Sequence, residues 1–210
     1  MMPRILTAAA VLLLLVTGVA SAQTSDLIIT EYVEGSGNNK AIEIYNGTED
    51  QINLGSYAID RYSNGASSPT SIPLANVDLG PGDTYVVTHD QAEPALLGLA
   101  DQVDNNLNFN GNDALVLTFG GSQIVDSFGR VGEDPGTYWS CSEGTTQNHT
   151  MRRLSSICSG DIDPADLFDP CAEWSFFASD TFSGIGSHIA DCGAVGNGST
   201  SFGTIKASFR

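Results

Sequence analysis

The chain has 210 residues, with 25 Asp and Glu against 8 Lys and Arg and a formal net charge of −17. Nucleic-acid binding relies on Lys and Arg displacing counterions from phosphates, so direct nucleic-acid binding is not expected of so acidic a surface. The surplus acid serves solubility and, as the lesser reading, can attract divalent cations such as calcium.

Arg4, the apolar run Ala8 to Val16 and the small residues Ala20-Ser21-Ala22 form the three regions of a secretory signal. Residues 1–22 are therefore expected to be a signal peptide cleaved after Ala22, with the mature chain secreted, extracellular or at the cell surface. No later stretch approaches the roughly 20 apolar residues of a membrane helix, so no membrane span is expected after cleavage. Residues 23–190 read as one domain, and 191–210 as a Gly/Ser-rich linker followed by the tail "FGTIKASFR".

Short alternating or β-branched runs come next: Leu27 to Val33, Ala41 to Tyr45, Tyr57 to Tyr62, Thr84 to His89, Ala114 to Phe119 and Gln123 to Phe128. Turn residues separate them, as at Pro81-Gly82 and Asn110-Gly111, and this spacing predicts an all-β sandwich or barrel. In the first run Leu27, Ile29, Glu31 and Val33 share one face, while Ile28, Thr30 and Tyr32 share the other, which is expected to meet water at Thr30. Only Glu93 to Ala100 reads as helix, cut short by Gly98.

The stretch "EYVEGSGNNKAIEIYN" (31–46) places Glu31, Glu34 and Glu43 around a Gly/Asn break. Its chemical reading is a carboxylate cluster for a cation or for acid–base work. The plainer reading, which we favour, joins two strands through Gly35 to Asn39. Period-2 geometry then sends Glu31 and Glu34 to opposite faces, and Glu31 facing Glu43 across the pair calls for relief by Lys40, Arg61 or a metal ion.

Asn106-x-Asn108-x-Asn110-Gly111 imitates the opening of a calcium loop, but Leu117 stands where the bidentate Glu belongs. The remaining weak metal candidates are Asp101, Asp104, Asn112 and Asp113, whose usual work is to cap turns. His89, His149 and His188 belong to no metalloprotease helix, and no nucleophile elbow accompanies them. No catalytic residue and no cofactor is assigned.

Cys141, Cys158, Cys171 and Cys192 suit two disulfides in an exported protein. Neighbour pairing, Cys141 with Cys158 and Cys171 with Cys192, is our expectation among three connectivities. Trp139, Trp174, Phe176 and Phe177 flank these cysteines and are read as core. Arg152-Arg153 is read as alternating across a strand, screened by Asp161, Asp163, Asp166 and Asp169. Asn46, Asn148 and Asn197 open N-glycosylation acceptor patterns.

Taken in order, "EYVEGSGNNKAIEIYN", Pro81-Gly82-Asp83 before "TYVVTH", "LNFNGNDALVL", "DSFGRVGEDPG", "TMRRLSSICSGD" and "FDPCAEW" resemble the lamin tail domain in its bacterial secreted form, an N-terminal module of large extracellular nucleases. The resemblance runs from about Ser25 to His188. It implies an immunoglobulin-like β-sandwich with, here, a disulfide-stapled C-terminal part. It implies no catalytic motif, since in the nucleases the chemistry resides in a separate downstream domain, and nuclease activity of this chain is not expected. The leading expectation is a non-catalytic interaction or adhesion module that binds a protein, glycan or cell-surface partner through loops at Gly35 to Asn39, Asn64 to Pro69 and Asp101 to Asn112. The alternatives are a nuclease-associated domain meeting DNA through divalent cations, and a structural envelope component. The sequence does not specify an oligomeric state.

Overall fold

In the computed structural model, residues 26–192 are described. The signal segment with Ala22, the residues from 193 onward, the tail and Asn197 lie outside them.

The first hairpin joins β1 (Leu27–Glu34) to β2 (Lys40–Asn46). A short β3 (Ile52–Asn53) and a 3-10 turn lead into β4 (Tyr57–Tyr62), followed by β5 (Thr70–Pro73), β6 (Asp78–Leu79) and β7 (Thr84–Thr88). A single helical turn, α1 (Pro94–Leu97), precedes β8 (Gln102–Val103), β9 (Ala114–Phe119) and β10 (Gln123–Phe128). The C-terminal part adds β11 (His149–Arg153), the turn α2 (Pro170–Glu173) and β12 (Trp174–Ala178).

These strands form a six-stranded sheet, β12-β11-β1-β2-β7-β8, and a four-stranded sheet, β10-β9-β4-β5, with β3 and β6 paired separately. All pairings are antiparallel except β7 with β8. Between the two layers Leu27, Ile29, Tyr32, Ile42 and Ile44 meet Ile59, Leu115, Leu117 and Phe128 in one apolar core. Tyr32 stacks on Phe128 with ring centroids 4.0 Å apart. Removing these side chains from water is the main force joining the layers. The result is an all-β, immunoglobulin-like sandwich.

The runs at Tyr57–Tyr62, Ala114–Phe119 and Gln123–Phe128 are strands with the bounds read from the sequence. Within the 93–100 segment the helix covers Pro94–Leu97 and is capped at Gly98; α2 is a second helical turn that the sequence reading did not anticipate.

The face assignment within β1 is corrected. The register slips between Ile29 and Glu31, leaving Thr30 as the extra residue of a bulge. A bulge exchanges the two faces, so Leu27 and Ile29 before it and Tyr32 after it all enter the core. Thr30 does not meet water: it is 1% exposed and donates to Glu43 Oε1 at 2.7 Å.

The disulfide expectation is corrected too. The bridges are Cys141–Cys171 and Cys158–Cys192. β12 folds back along β11, and the turn bridged at Ser140 and Thr145 lies against it, Gly144 touching the Phe176 ring. This brings Cys171 to Cys141. Cys158 is left for Cys192, at the end of a segment that crosses the outside of the larger sheet.

Trp139 and Trp174 are buried, and Phe176 packs against the core. Arg152 and Arg153 do point to opposite sides of β11, but Arg153 is not screened by the aspartates that follow. It is fully buried, 3.1 Å from Asp126 and 2.7 Å from Glu173.

Candidate functional site

The stretch 31–46 supplies a buried polar group on the outer face of the larger sheet. Glu31 and Glu43 are directly opposite in the β1–β2 ladder, both on the outer face of the six-stranded sheet. Carboxylates so placed repel. Relief comes from neither Lys40 nor Arg61: Arg152, opposite Glu31 in β11, brings Nε to 3.3 Å from Glu31 Oε2. The guanidinium is backed by the Phe177 ring, 4.1 Å from Cζ to centroid.

Residues 180–188 cross over this layer as a strap. Gly186 N donates to Glu43 Oε2 at 2.6 Å, and Arg152 Nη2 donates to Ser183 Oγ at 3.3 Å. Gly184 lies so close to the Arg152–Glu31 pair that a Cβ there would fall 2.6 Å from Glu31 Oε2. Phe182 and Ile185 pack with Val33, Ala41, Val86 and Leu96 in a second, smaller apolar cluster. At the strap's start Asp180 Oδ1 accepts from Ser36 N and Asn39 Nδ2, both at 2.9 Å. Beyond its end the Cys158–Cys192 bridge holds it.

Burial under the strap drives the Glu31 carboxyl up to about 7, with Arg152 opposing the rise and Glu43 adding to it. Glu43 is raised as well, chiefly by burial, against hydrogen bonds from Thr30, Gly186 and Ser187. Glu31 Oε1 is buried and has no hydrogen-bond partner.

Glu34 points to the other side. Lys40 Nζ donates to its Oε1 at 2.9 Å and to Gly35 O at 2.7 Å, and Asn148 N donates to Oε2. The remaining metal candidates are also spent on local structure. Asp101 Oδ2 accepts from Val86 N at 2.8 Å, and Asp104 Oδ1 from Asn106 N at 2.8 Å. Asn112 Nδ2 donates to Asn64 Oδ1, Asp134 Oδ1 and Gly136 O. Asp113 accepts from the backbone N of Asn64 and Asn110, with Arg61 3.7 Å away. Among the described residues the group of ligand-type side chains that converges is Cys141, Asp169 and Cys171, and its sulfurs are joined to each other.

The three histidines have separate settings. His89 Nδ1 accepts from Gln91 N at 3.0 Å, and His149 Nδ1 lies 2.8 Å from Gln147 O. His188 stands edge-on to Tyr45 with centroids 5.1 Å apart. Its Nε2 is buried and unpartnered, and burial, then repulsion by Arg153, lowers its pKa to about 4. His188 also borders a cleft of about 550 Å³ beside Tyr85, Asp78, Asp83 and Asp101. Of the glycosylation patterns, Asn46 is buried with Nδ2 donating to Asp50 O and Leu79 O, and Asn148 is exposed.

The loops named from the sequence gather at one end of the sandwich. Arg61 Nε donates to Asn106 O and Asn64 N to Asp113, which ties the 64–69 loop to the 104–112 loop. Tyr32 in β1 reaches Asn110 O at 3.5 Å. Ser36 to Asn38, Ser67 to Pro69 and Asn105, Asn106 and Asn108 are exposed.

Sequence reasoning missed Asp126, Asp180 and the strap glycines. Asp126 looks like any strand polar residue, and Gly184-Ile185-Gly186 carries no motif; only their partners, remote in sequence, give them roles.

The fold defines an immunoglobulin-like β domain. The lamin tail domain model matches residues 20–132, just over half of the chain, and the protein belongs to the lamin tail domain family. No curated protein matches it. The match stops short of the extent read from motifs: β11, β12, both disulfides and the strap lie beyond it. No helix of the described residues is long and apolar enough to cross a membrane.

Proposed function

We propose that this chain is an exported, non-catalytic interaction module that engages a protein, glycan or cell-surface partner through the loops at one end of its sandwich. The observation that carries this reading is the division of labour among polar residues. Those that had looked like reagents, Glu31, Glu34, Glu43, Asp101 and Asp113, are engaged with partners inside the fold. The exposed Ser, Asn and Gly positions cluster on braced loops, where binding surfaces on rigid scaffolds are commonly built. Two disulfides are compatible with an oxidising, extracellular setting.

The test is capture from cell-surface extracts by the purified full domain, with and without calcium, beside a variant in which Ser67 and Ser68 are replaced by Asp. A partner retained by the parent and lost by the variant supports the reading, and equal retention by both removes the loops from it. DNA cleavage in magnesium or calcium would turn the assignment to the nuclease-associated alternative. N-terminal sequencing of exported protein tests cleavage after Ala22.

A further inference from the structure

We propose that the 180–188 strap is a proton-coupled latch, closed over the β1–β2 face while the Glu31–Glu43 pair holds a proton and loosened when that proton leaves to solvent. The geometry is one of charge imbalance under a cover. Glu31 from β1 and Glu43 from β2 face a single guanidinium, Arg152 from β11, so the ionised layer carries one negative charge in excess. Every other element packed on it is uncharged there: β7 presents Val86 opposite Glu43, and β12 presents Ser175 and Phe177 beside Arg152. From the strap, Asp180 is engaged at the far end with Ser36 and Asn39, and His188 lies at the near end against Tyr45, toward Asp78, Asp83 and Asp101 across the cleft.

A buried ionised carboxylate without full compensation is costly. Glu31 Oε1, buried and lacking any donor, is the atom on which a proton removes that cost. Once ionised, the carboxylate regains hydration only if the strap lifts, and Gly184 and Gly186 are where the strap meets the two carboxylates.

The sign follows from the direction of the shift. Glu31 sits near 7 in the closed state against an ordinary 4.5, so its contribution to closure is complete below 4.5 and is lost as pH rises through 7. His188 works the other way. It is held neutral near 4 against an ordinary 6.5, so opening lets it take up a proton at acid pH. Closure thus gains a proton at the carboxylates and sheds one at the imidazole, and the two terms offset one another in the acid range.

The experiment is amide exchange over residues 180–188 of the oxidised full chain, corrected for the intrinsic pH dependence of exchange, in wild type, Glu31→Gln and His188→Gln. In His188→Gln the opening equilibrium is expected to rise by up to about tenfold per pH unit between about pH 5 and 7. In wild type the rise is expected to be about two- to threefold and confined to about pH 6 to 8, and in Glu31→Gln it is lost. A flat His188→Gln profile, or a wild-type rise that Glu31→Gln leaves intact, overturns the latch. Should Glu31→Gln fail to fold, the carboxyl carbon of Glu31 is titrated by NMR in wild type. A midpoint near 7 supports the proposal, and full ionisation by about pH 5.5 overturns it.

Discussion

Arg153 of β11 and Asp126 of β10, one from each sheet, meet where water does not reach, Nη1 lying 3.1 Å from Oδ2 with both side chains fully buried. Asp126 also accepts from the backbone N of Ile29, Ser127 and Asp161 at 2.7 to 2.9 Å. Ile29 N is the donor next to the β1 bulge, so this carboxylate fastens the bulge, the smaller sheet and the C-terminal part at one point.

Removing one partner of such a pair strands the other. Arg153→Met is expected to cost about 3–5 kcal/mol in urea unfolding, and Asp126→Asn in the same chain to restore part of the loss. A single-variant cost below about 1 kcal/mol would place the clamp among surface ion pairs instead.

The disulfides carry a prediction about connectivity and another about stability. Non-reducing peptide mapping should return Cys141 with Cys171 and Cys158 with Cys192. The second bridge closes a sequence separation of 34; chain-entropy reasoning puts its contribution at about 4 kcal/mol. Cys158→Ser with Cys192→Ser should lower the urea midpoint accordingly and leave the strap open to protease before the strands unfold.

At Gly184 the strap's backbone rests on the Arg152–Glu31 pair with no room for a side chain. Gly184→Ala must lift the strap or displace the guanidinium, and overpacking of this kind costs about 1–3 kcal/mol. Gly37, where an added Cβ would meet nothing within 4 Å, has a φ of +56°, so its Ala variant controls for backbone strain without overpacking. Melting temperatures decide the point: a Gly184→Ala variant as stable as wild type would mean Gly184 is not a packing contact, while Gly37→Ala reports what positive-φ strain alone costs.

His188 sets an acid limit. A base held neutral near 4 in the fold, against 6.5 when free, withholds a proton that the unfolded chain would take, so its contribution to stability is intact above 6.5 and lost as pH falls toward 4. The melting temperature of His188→Gln should therefore fall less than that of wild type between those values. Parallel curves would show that the imidazole is hydrated in the folded chain.

Several elements were legible in the residues alone because they depend on local rules. Alternation and turn chemistry gave the strands of β4, β9 and β10 their bounds, and Gly98 ended α1. Less could be read where a partner remote in sequence decides. The faces of β1 were misread because one extra residue, Thr30, reverses a period of two. Bulges of this kind follow from what sits across the strand, here Asp126, 97 positions away from Ile29.

The sequence by itself determined the class: an acidic β-sandwich chain with cysteines suited to two bridges, since hydrophobic period, turn residues and charge are properties of neighbours along the chain. Tertiary structure alone decided which cysteines join, which cation serves Glu31, and that residues 180–188 seal the Glu31–Glu43 pair from water. Those outcomes hang on distances between segments brought together by folding, and on the desolvation that acts on a charge only once something has covered it.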